Sequence, residues 1–296
     1  MRRGMWLVTV AAVLMATMPG CESEKDGGDQ GAEDKAAQKA QEEEPPAESA
    51  EDEPPEPTSS GLVEVESKKD FKTTLEGLAS AIEANDKLTM MARVDHAAES
   101  EDTLEANSLF VFGNPNMGGP MIKAGQTAGI DLPHRVVVWK DRNNAVHAAL
   151  NAPDYVAKRH AIESLGLFRS QMETTLTSVL EKGTGVSIGS MPQAEEIAVD
   201  AGEGLITEES QNSVDTTFKG FKKQIEDNED WSLVAEIDHT KNADEVGRSI
   251  PPTRLLMIEN SAMTTPLVAT KQSMGLEFPV RLLIYETKAA EILVTY

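Results

Sequence analysis

The sequence has one cysteine, few aromatic residues and few cations. A single cysteine, Cys21, excludes an intrachain disulfide, a thiolate zinc site and a CxxCH haem attachment. Aromatic residues make up only 4% of the chain, so the cores must be built mainly from aliphatic residues, Met and Ala. The 27 Lys and Arg are outnumbered by 50 Asp and Glu, and a formal net charge of -23 repels phosphates. We therefore expect no nucleic-acid partner.

Residues 1–20 are predicted to be an export signal. Arg2 and Arg3 precede an apolar run from Met5 to Met18, which is too short to span a bilayer comfortably. Gly20-Cys21 follows at once and resembles the lipobox of bacterial lipoproteins. We expect lipidation of Cys21, which would anchor the chain to a membrane in the cell envelope. The alternative is a plain signal peptide followed by an unmodified cysteine. Glu22 favours the outer membrane over the inner one.

Residues 21–60 are predicted to be a disordered acidic tether. From Glu22 to Ser60 there is no Val, Leu, Ile or aromatic residue, and the segment carries a net charge of about -11 up to Ser59. Such a composition cannot bury enough apolar surface to offset the entropy of ordering. We expect it to act as a spacer.

The rest of the chain contains an internal repeat. The segment that begins at Gly61 aligns with the one that begins at Gly204, without a gap as far as Asp95-His96 and Asp238-His239. One insertion of three residues then restores the match to the end of the second copy. The predicted domains are 61–183 and 204–296, joined by a connector over 184–203.

Each copy has the pattern of a small α+β domain. A short strand precedes a helix capped by Asp70 or Ser213, and four further strands and a short helix follow. The predicted order is β-α-β-β-α-β-β, with a mostly antiparallel sheet and a long helix on one face. The second copy is predicted to start with a strand over Leu205–Glu209. The first copy is predicted to continue into helices over Tyr155–Leu165 and Leu167–Leu180.

Several short motifs give the chain a family resemblance. A strand ends in Asp-His, a Phe-Gly-Asn-Pro loop follows, a Leu-Pro pair opens the next strand, and a segment that contains Arg-His begins the last helix. In the first copy these are Asp95-His96, Phe112-Gly113-Asn114-Pro115, Leu132-Pro133 and Arg159-His160, and the second copy keeps Asp238-His239, Asn260 and Phe278-Pro279. This combination resembles the family called domain of unknown function 302. The resemblance covers roughly residues 61–170 and 204–296.

The resemblance implies a fold but no settled activity. It implies a TATA-binding-protein-like sheet with a helix packed on one face, in domains that often self-associate. By analogy, two tandem copies in one chain would form an intramolecular pseudo-dimer.

The repeated Asp-His pairs are the sharpest candidates for chemistry. Neighbours on a strand point to opposite faces, so Asp95 and His96 should not bond each other. The structural interpretation is that the Asp caps the next turn and the His fills a partly buried slot. The functional one is general acid/base catalysis or ligand binding by Asp95 and His96, with Asp238 and His239 as their counterparts.

Four more residues are candidates for binding. Asn114 and Asn260 follow the third strand in a predicted loop, where turn chemistry competes with reception of a small anion by free amides. Arg135 and Arg281 open buried-looking strands. We expect each to pair internally with Asp95 or Asp238, and the alternative is a ligand carboxylate.

No cofactor or metal site is predicted, because one copy offers too few ligands. His134, His147 and His160 have no repeat partner and are predicted to lie on the surface. The preferred function is a non-catalytic envelope lipoprotein that binds a small molecule or an envelope protein. Two alternatives stay open: an enzyme that uses Asp95 and His96, and a metal or haem carrier that uses His96 and His239.

Overall fold

A computed structural model describes residues 59–100 and 104–296. The predicted signal, Cys21 and nearly all of the acidic tether lie outside the described residues. Both copies share the same order of five strands, with a long helix after the first strand and a shorter helix after the third. In the first copy the elements are β1 (Leu62–Glu66), α1 (Phe71–Glu83), β2 (Thr89–Asp95), β3 (Asn107–Gly113), α2 (Pro115–Ala124), β4 (His134–Lys140), β5 (Val146–Asn151), α3 (Pro153–Arg159) and α4 (Leu167–Thr184).

The second copy repeats the first five strands and two helices with one addition. Its elements are β6 (Thr207–Ser210), α5 (Val214–Glu226), β7 (Ser232–Asp238), α6 (His239–Glu245), β8 (Thr253–Glu259), α7 (Ser261–Thr270), β9 (Val280–Glu286) and β10 (Ile292–Thr295). A 3-10 turn precedes the fourth strand of each copy, over Gln126–Ile130 and Gln272–Leu276. The two copies also share a cis X-Pro bond at Pro133 and Pro279.

The long helix of each copy begins at the predicted cap. The Asp70 carboxylate accepts a hydrogen bond from the backbone N–H of Thr73, and the Ser213 hydroxyl accepts one from that of Thr216. One stripe of α1 is buried, including Leu75, Leu78 and Ile82. This confirms the helical spacing of apolar residues in the sequence.

Each copy forms a five-stranded antiparallel sheet. The strand orders are β1-β5-β4-β3-β2 and β6-β10-β9-β8-β7. Both sheets have an irregularity at the same place, between Met90 and Ala92 and between Leu233 and Ala235. The predicted fold class, two α+β domains with antiparallel sheets, is therefore confirmed.

The two sheets share one apolar core. Each sheet buries its outer face under its own long helix. The inner faces pack together in a cluster that joins Leu109, Val137 and Trp139 of the first copy to Leu255 and Leu283 of the second. Interior strand β3 is buried at every position because both of its faces are covered. This explains the continuous apolar runs in the sequence.

Only the first copy carries a second helix on its outer face. Helix α4 packs against α1, and a Cβ added at Gly77 would lie 3.0 Å from the Gly183 carbonyl oxygen. The equivalent Gly220 in α5 has open space around it. The predicted helix Tyr155–Leu165 is wrong beyond Arg159, because Ala161 takes a positive φ of 52° and ends it. The strand predicted over Leu205–Glu209 lies instead over Thr207–Ser210.

Candidate functional site

The repeated Asp-His pairs end strands β2 and β7. Asp95 is exposed, and its carboxylate accepts a hydrogen bond from the backbone N–H of Ala98 at 3.2 Å. Asp238 is half-buried and caps α6 by accepting one from the backbone N–H of Lys241 at 2.9 Å. The neighbouring His96 and His239 are buried. In each pair, the aspartate carboxylate caps the following turn or helix, and the histidine imidazole lies on the opposite face of the strand.

Both imidazoles reach across to the other copy. His96 Nε2 donates to the carbonyl oxygen of Gly275 at 3.1 Å, and His239 Nε2 donates to that of Gly129 at 2.9 Å. The two glycines occupy equivalent positions in the 3-10 turns. The contacts are thus reciprocal, as in the interface of a symmetric dimer.

Burial keeps these imidazoles neutral. It lowers the pKa of His96, and it lowers the pKa of His239 to about 4 despite the hydrogen bond to Gly129. A neutral imidazole whose Nε2 donates to a carbonyl has no proton to exchange at that atom without breaking the contact. The geometry is therefore that of a structural clamp.

The two glycines are required by the closeness of the copies. A Cβ at Gly275 would lie 2.5 Å from Asn107 Oδ1 and 3.1 Å from Val137 Cγ2. A Cβ at Gly129 would lie 2.9 Å from Leu283 Cδ1. The 3-10 turns can approach the opposite sheet only because these positions have no side chain.

Asn114 and Asn260 are helix caps. The Asn114 side chain accepts a hydrogen bond from the N–H of Asn116 at 3.0 Å, and that of Asn260 accepts one from the N–H of Met263 at 3.3 Å. The loop predicted after the third strand is in fact helix α2 from Pro115 onward, which contains Gly118 and Gly119. The amides of these glycines are therefore not gathered into an anion-receiving loop.

Arg135 and Arg281 pair with carboxylates other than those predicted. Arg135 Nη2 lies 3.2 Å from Asp131 Oδ1, and Arg281 Nη2 lies 2.7 Å from Glu277 Oε2. Asp131 and Glu277 are repeat counterparts, each four residues before its arginine. The prediction of an internal pair was right in kind, but the partners Asp95 and Asp238 were wrong. The acid–arginine spacing recurs in both copies, and this signal could have identified the true partners.

Asp131 is the centre of a buried charge cluster. Its carboxylate also accepts hydrogen bonds from Arg159 Nη1 at 2.6 Å and His160 Nε2 at 2.8 Å. Burial alone would raise the pKa of Asp131, but the His160 hydrogen bond and the charges of Arg159 and Arg135 hold it well below its usual range. Arg281 Nη1 of the second copy lies 3.8 Å away. The cluster therefore joins both copies.

Two of the three histidines predicted to lie on the surface are buried. His134 is 8% exposed and His160 is 5% exposed. Burial and the adjacent Arg135 charge lower the pKa of His134 to about 4. His147 is partly exposed and stacks on Trp139. The absence of a repeat partner did not indicate a surface position, because His160 belongs to the first copy's additional helical segment.

The predicted site residues do not converge on one cleft. Asn114 lines a cavity of about 30 Å³ together with His134 and His239. Arg135 lines a separate cavity of about 10 Å³. Asp95 and His96 line neither cavity. The convergence that an enzyme built from Asp95, His96, Asn114 and Arg135 would require is therefore not present in these two cavities.

The first copy has two open grooves on either side of its 164–166 turn. One has a volume of about 750 Å³ and extends from Asp154 to the connector at Glu195. The other has a volume of about 480 Å³ and is lined by Met121 and Phe168. Leu167, at the start of α4, is 81% exposed beside the second groove. Both grooves depend on elements that the second copy lacks, and the repeat pattern gave no signal for them.

Residues 59–100 and 104–296 contain no group of three or more His, Cys, Asp or Glu placed to hold a metal ion. Over the same residues, no helix has the length and apolar character needed to cross a membrane.

The fold and the reciprocal contacts define a protein built from two copies of one α+β domain. The model of the family described as domain of unknown function DUF302 matches residues 63–183 and 206–296. These matches cover more than half of the chain, and the chain therefore belongs to the DUF302 family.

Curated relatives share one segment with this chain. Proteins named fluoride-specific ion channel FluC 1 from Brucella suis and Brucella abortus are each 36% identical to it over 111 residues. The match covers 36% of this chain and 42% and 40% of those proteins. The chain thus spans about two fifths of their length. A solved structure, a DUF302 protein from Bacillus stearothermophilus, is 14% identical with a TM-score of 0.38, over 42% of this chain and 98% of that one.

Proposed function

We propose that this chain is a lipid-anchored envelope protein whose two DUF302 domains form an intramolecular pseudo-dimer and bind a ligand without catalysis. The observation that carries the proposal is the reciprocal use of His96 and His239 as donors to the Gly275 and Gly129 carbonyls. The residues with the best claim to acid/base chemistry hold the two copies together. The lipid anchor rests on the sequence around Cys21, and Glu22 favours the outer membrane.

The ligand class that fits best is a small molecule bound in the larger groove of the first copy. A volume of about 750 Å³ lies within the range of small-molecule sites, about 300 to 1,000 Å³. The groove combines apolar Ile162 and Leu165 with charged Asp154, Lys158 and Arg169. This lining suits a small metabolite that has an apolar portion and at least one charge. An envelope protein is the alternative occupant.

Two other functions compete with this proposal. An enzyme that uses Asp95 and His96 would have to release His96 from Gly275 before the imidazole could transfer a proton at Nε2. A metal or haem carrier would have to coordinate through the Nδ1 atoms of His96 and His239, because Nε2 of each already donates to a carbonyl. Proton transfer at Nε2 would therefore open the contact between the copies, whereas metal binding at Nδ1 would need further ligands that residues 59–100 and 104–296 do not place together.

Native mass spectrometry with a small-metabolite extract tests the binding and the lack of turnover. We expect the full chain to gain the mass of a bound small molecule, and we expect the extract to be unchanged after incubation. The Ser164→Trp variant should lose the added mass, because Ser164 lines the groove. Ser170→Trp is the matched control on an exposed position of α4 and should keep it. A metabolite that is consumed by the full chain but not by His96→Ala would overturn the proposal.

Labelling with an alkyne analogue of palmitate in bacteria that express the full chain tests the anchor. We expect the label on the wild-type chain and in the membrane fraction, and neither in Cys21→Ser. Ser23→Ala is the control and should keep the label. A wild-type chain that is exported but unlabelled would refute the anchor and leave the ligand proposal standing.

A further inference from the structure

The buried cluster around Asp131 has more positive than negative groups. Its fixed charges are three guanidinium groups, on Arg135, Arg159 and Arg281, and two carboxylates, on Asp131 and Glu277. The Glu277 side chain is 44% exposed, and solvent screens its charge, whereas the Arg135 side chain is 4% exposed. The interior of the cluster therefore carries an excess positive charge in a chain whose formal net charge is -23.

Arg135 is the group with unused donors. Its Nη2 faces Asp131 and Glu277, but its Nε and Nη1 are buried and have no hydrogen-bond partner among the described residues. An unpaired buried donor destabilises the folded state, and more so when the group is charged. A guanidinium holds its N–H groups in a fixed planar fork, so the unused donors point in defined directions.

Arg135 also lines a small cavity. Its volume is about 10 Å³, which is roughly the space that one water-sized particle needs. Arg135, His134 and Asn151 supply its polar lining. The rest of the wall is apolar apart from Asp131 and consists of Leu150, Val156, Leu176 and, from the second copy, Leu276. A polyatomic anion such as sulfate is too large for this space.

We infer that this cavity binds a single monatomic anion, a halide of about the size of a water molecule, through Nε and Nη1 of Arg135. A halide accepts hydrogen bonds from several donors at once. Unlike a neutral water molecule, it also offsets the excess positive charge. Leu276 closes the wall from the second copy, so the site is complete only when the two copies are packed together.

Thermal denaturation of the full chain in matched salts tests the site. We compare sodium fluoride and sodium chloride with sodium gluconate and sodium sulfate at equal pH and ionic strength. Ligand binding to the folded state should lower the unfolding equilibrium constant about a hundredfold at a hundred times the Kd. We expect a saturable rise in the unfolding midpoint with at least one halide. We expect no saturable rise with sulfate or gluconate; sulfate also stabilises folded proteins by its exclusion from the surface, but that effect does not saturate.

Three variants identify the cavity as the source of the shift. Arg135→Lys keeps the charge but removes the planar donors. Val156→Ile adds a methyl group to the cavity wall. Both variants should lose the halide response. Arg254→Lys is the control, because its Nε is also buried without a hydrogen-bond partner in the described part of the chain but lies outside this cavity. It should keep the response.

If Arg135→Lys fails to fold, Val156→Ile and Arg254→Lys decide the test. A wild-type midpoint that shows no saturable rise with either halide, as for a cavity that holds only water, overturns the inference. A halide shift of equal size in Val156→Ile overturns it too.

Discussion

Acidification should unfold this protein through its buried histidines well before its buried carboxylate is protonated. The pKa values of His134 and His239 are each lowered from 6.5 to about 4, chiefly by burial. Arg135 also lowers the pKa of His134, while nearby Asp131 opposes this, and Asp238 opposes the lowering at His239. The unfolded chain therefore binds more protons than the folded chain between pH 6.5 and 4. Stability is fully present above pH 6.5 and is lost as the pH falls through about 4.

The size of the effect follows from the gap between the two pKa values. A gap from 6.5 to about 4 corresponds to about 3 kcal/mol for each histidine. Two such histidines would remove a large part of the 5–15 kcal/mol that is typical of a folded domain. Burial also lowers the pKa of His96, which adds a loss of the same sign. Asp131 contributes only at lower pH, because its folded pKa lies below that of an ordinary carboxyl.

Urea denaturation followed by circular dichroism at pH 7.5, 6, 5 and 4 measures this loss. In His239→Gln, the amide nitrogen can take the place of Nε2 and donate to Gly129, but the side chain no longer titrates. We expect this variant to lose about 3 kcal/mol less than the wild type between pH 7.5 and 4. His147→Gln is the control, since His147 is partly exposed. If the curves of His239→Gln and the wild type are parallel over this range, the assigned role of His239 is wrong.

Two further substitutions test the contact between the copies and the charge cluster. Gly275→Ala should destabilise the protein by about 1–3 kcal/mol, because the new methyl group would clash with Asn107 and the opposite sheet. Gly220→Ala is the control, because Gly220 has open space around it on α5. It should be neutral or stabilising in the same urea titration. Asp131→Asn should cost about 3–5 kcal/mol at pH 7, because buried arginines lose their counter-charge. Asp227→Asn, which breaks an exposed pair, should cost no more than about 1 kcal/mol in that titration, and equal losses in the two aspartate variants would contradict the buried cluster.

The fold could be predicted because its signals are local and occur twice. The caps Asp70 and Ser213 and the apolar stripes of α1 and α5 recur at matching positions. Strand lengths and order follow from the same comparison. The error at Tyr155–Leu165 lies where the chain has no second copy for comparison, and where Ala161 takes a conformation that side-chain pattern does not reveal.

The contacts of the site could not be predicted in the same way. His96 bonds a carbonyl 179 residues further along the chain, and backbone carbonyls carry no signature in a sequence. The alternation of side chains along the strand places His96 on a buried face, but it does not identify the atoms that His96 contacts there. Asp131 and Glu277 each precede an arginine by four residues, but in a chain with 50 Asp and Glu only the comparison of the two copies distinguishes this spacing.

The asymmetry of the charge cluster follows from the additional segment of the first copy. Asp131 and Glu277 begin as equivalents, each with an arginine four residues later. Only Asp131 also accepts hydrogen bonds from Arg159 and His160, which lie at the end of α3. The Asp131 side chain is 1% exposed, whereas the Glu277 side chain is 44% exposed. The added helices therefore change one of two equivalent positions from a partly solvated ion pair into a buried network. The clamp through the histidines stays symmetric, because each half of it needs a glycine from the other copy. Duplication thus constrains the interface in both copies, while the region around Asp131 is free to specialise in one.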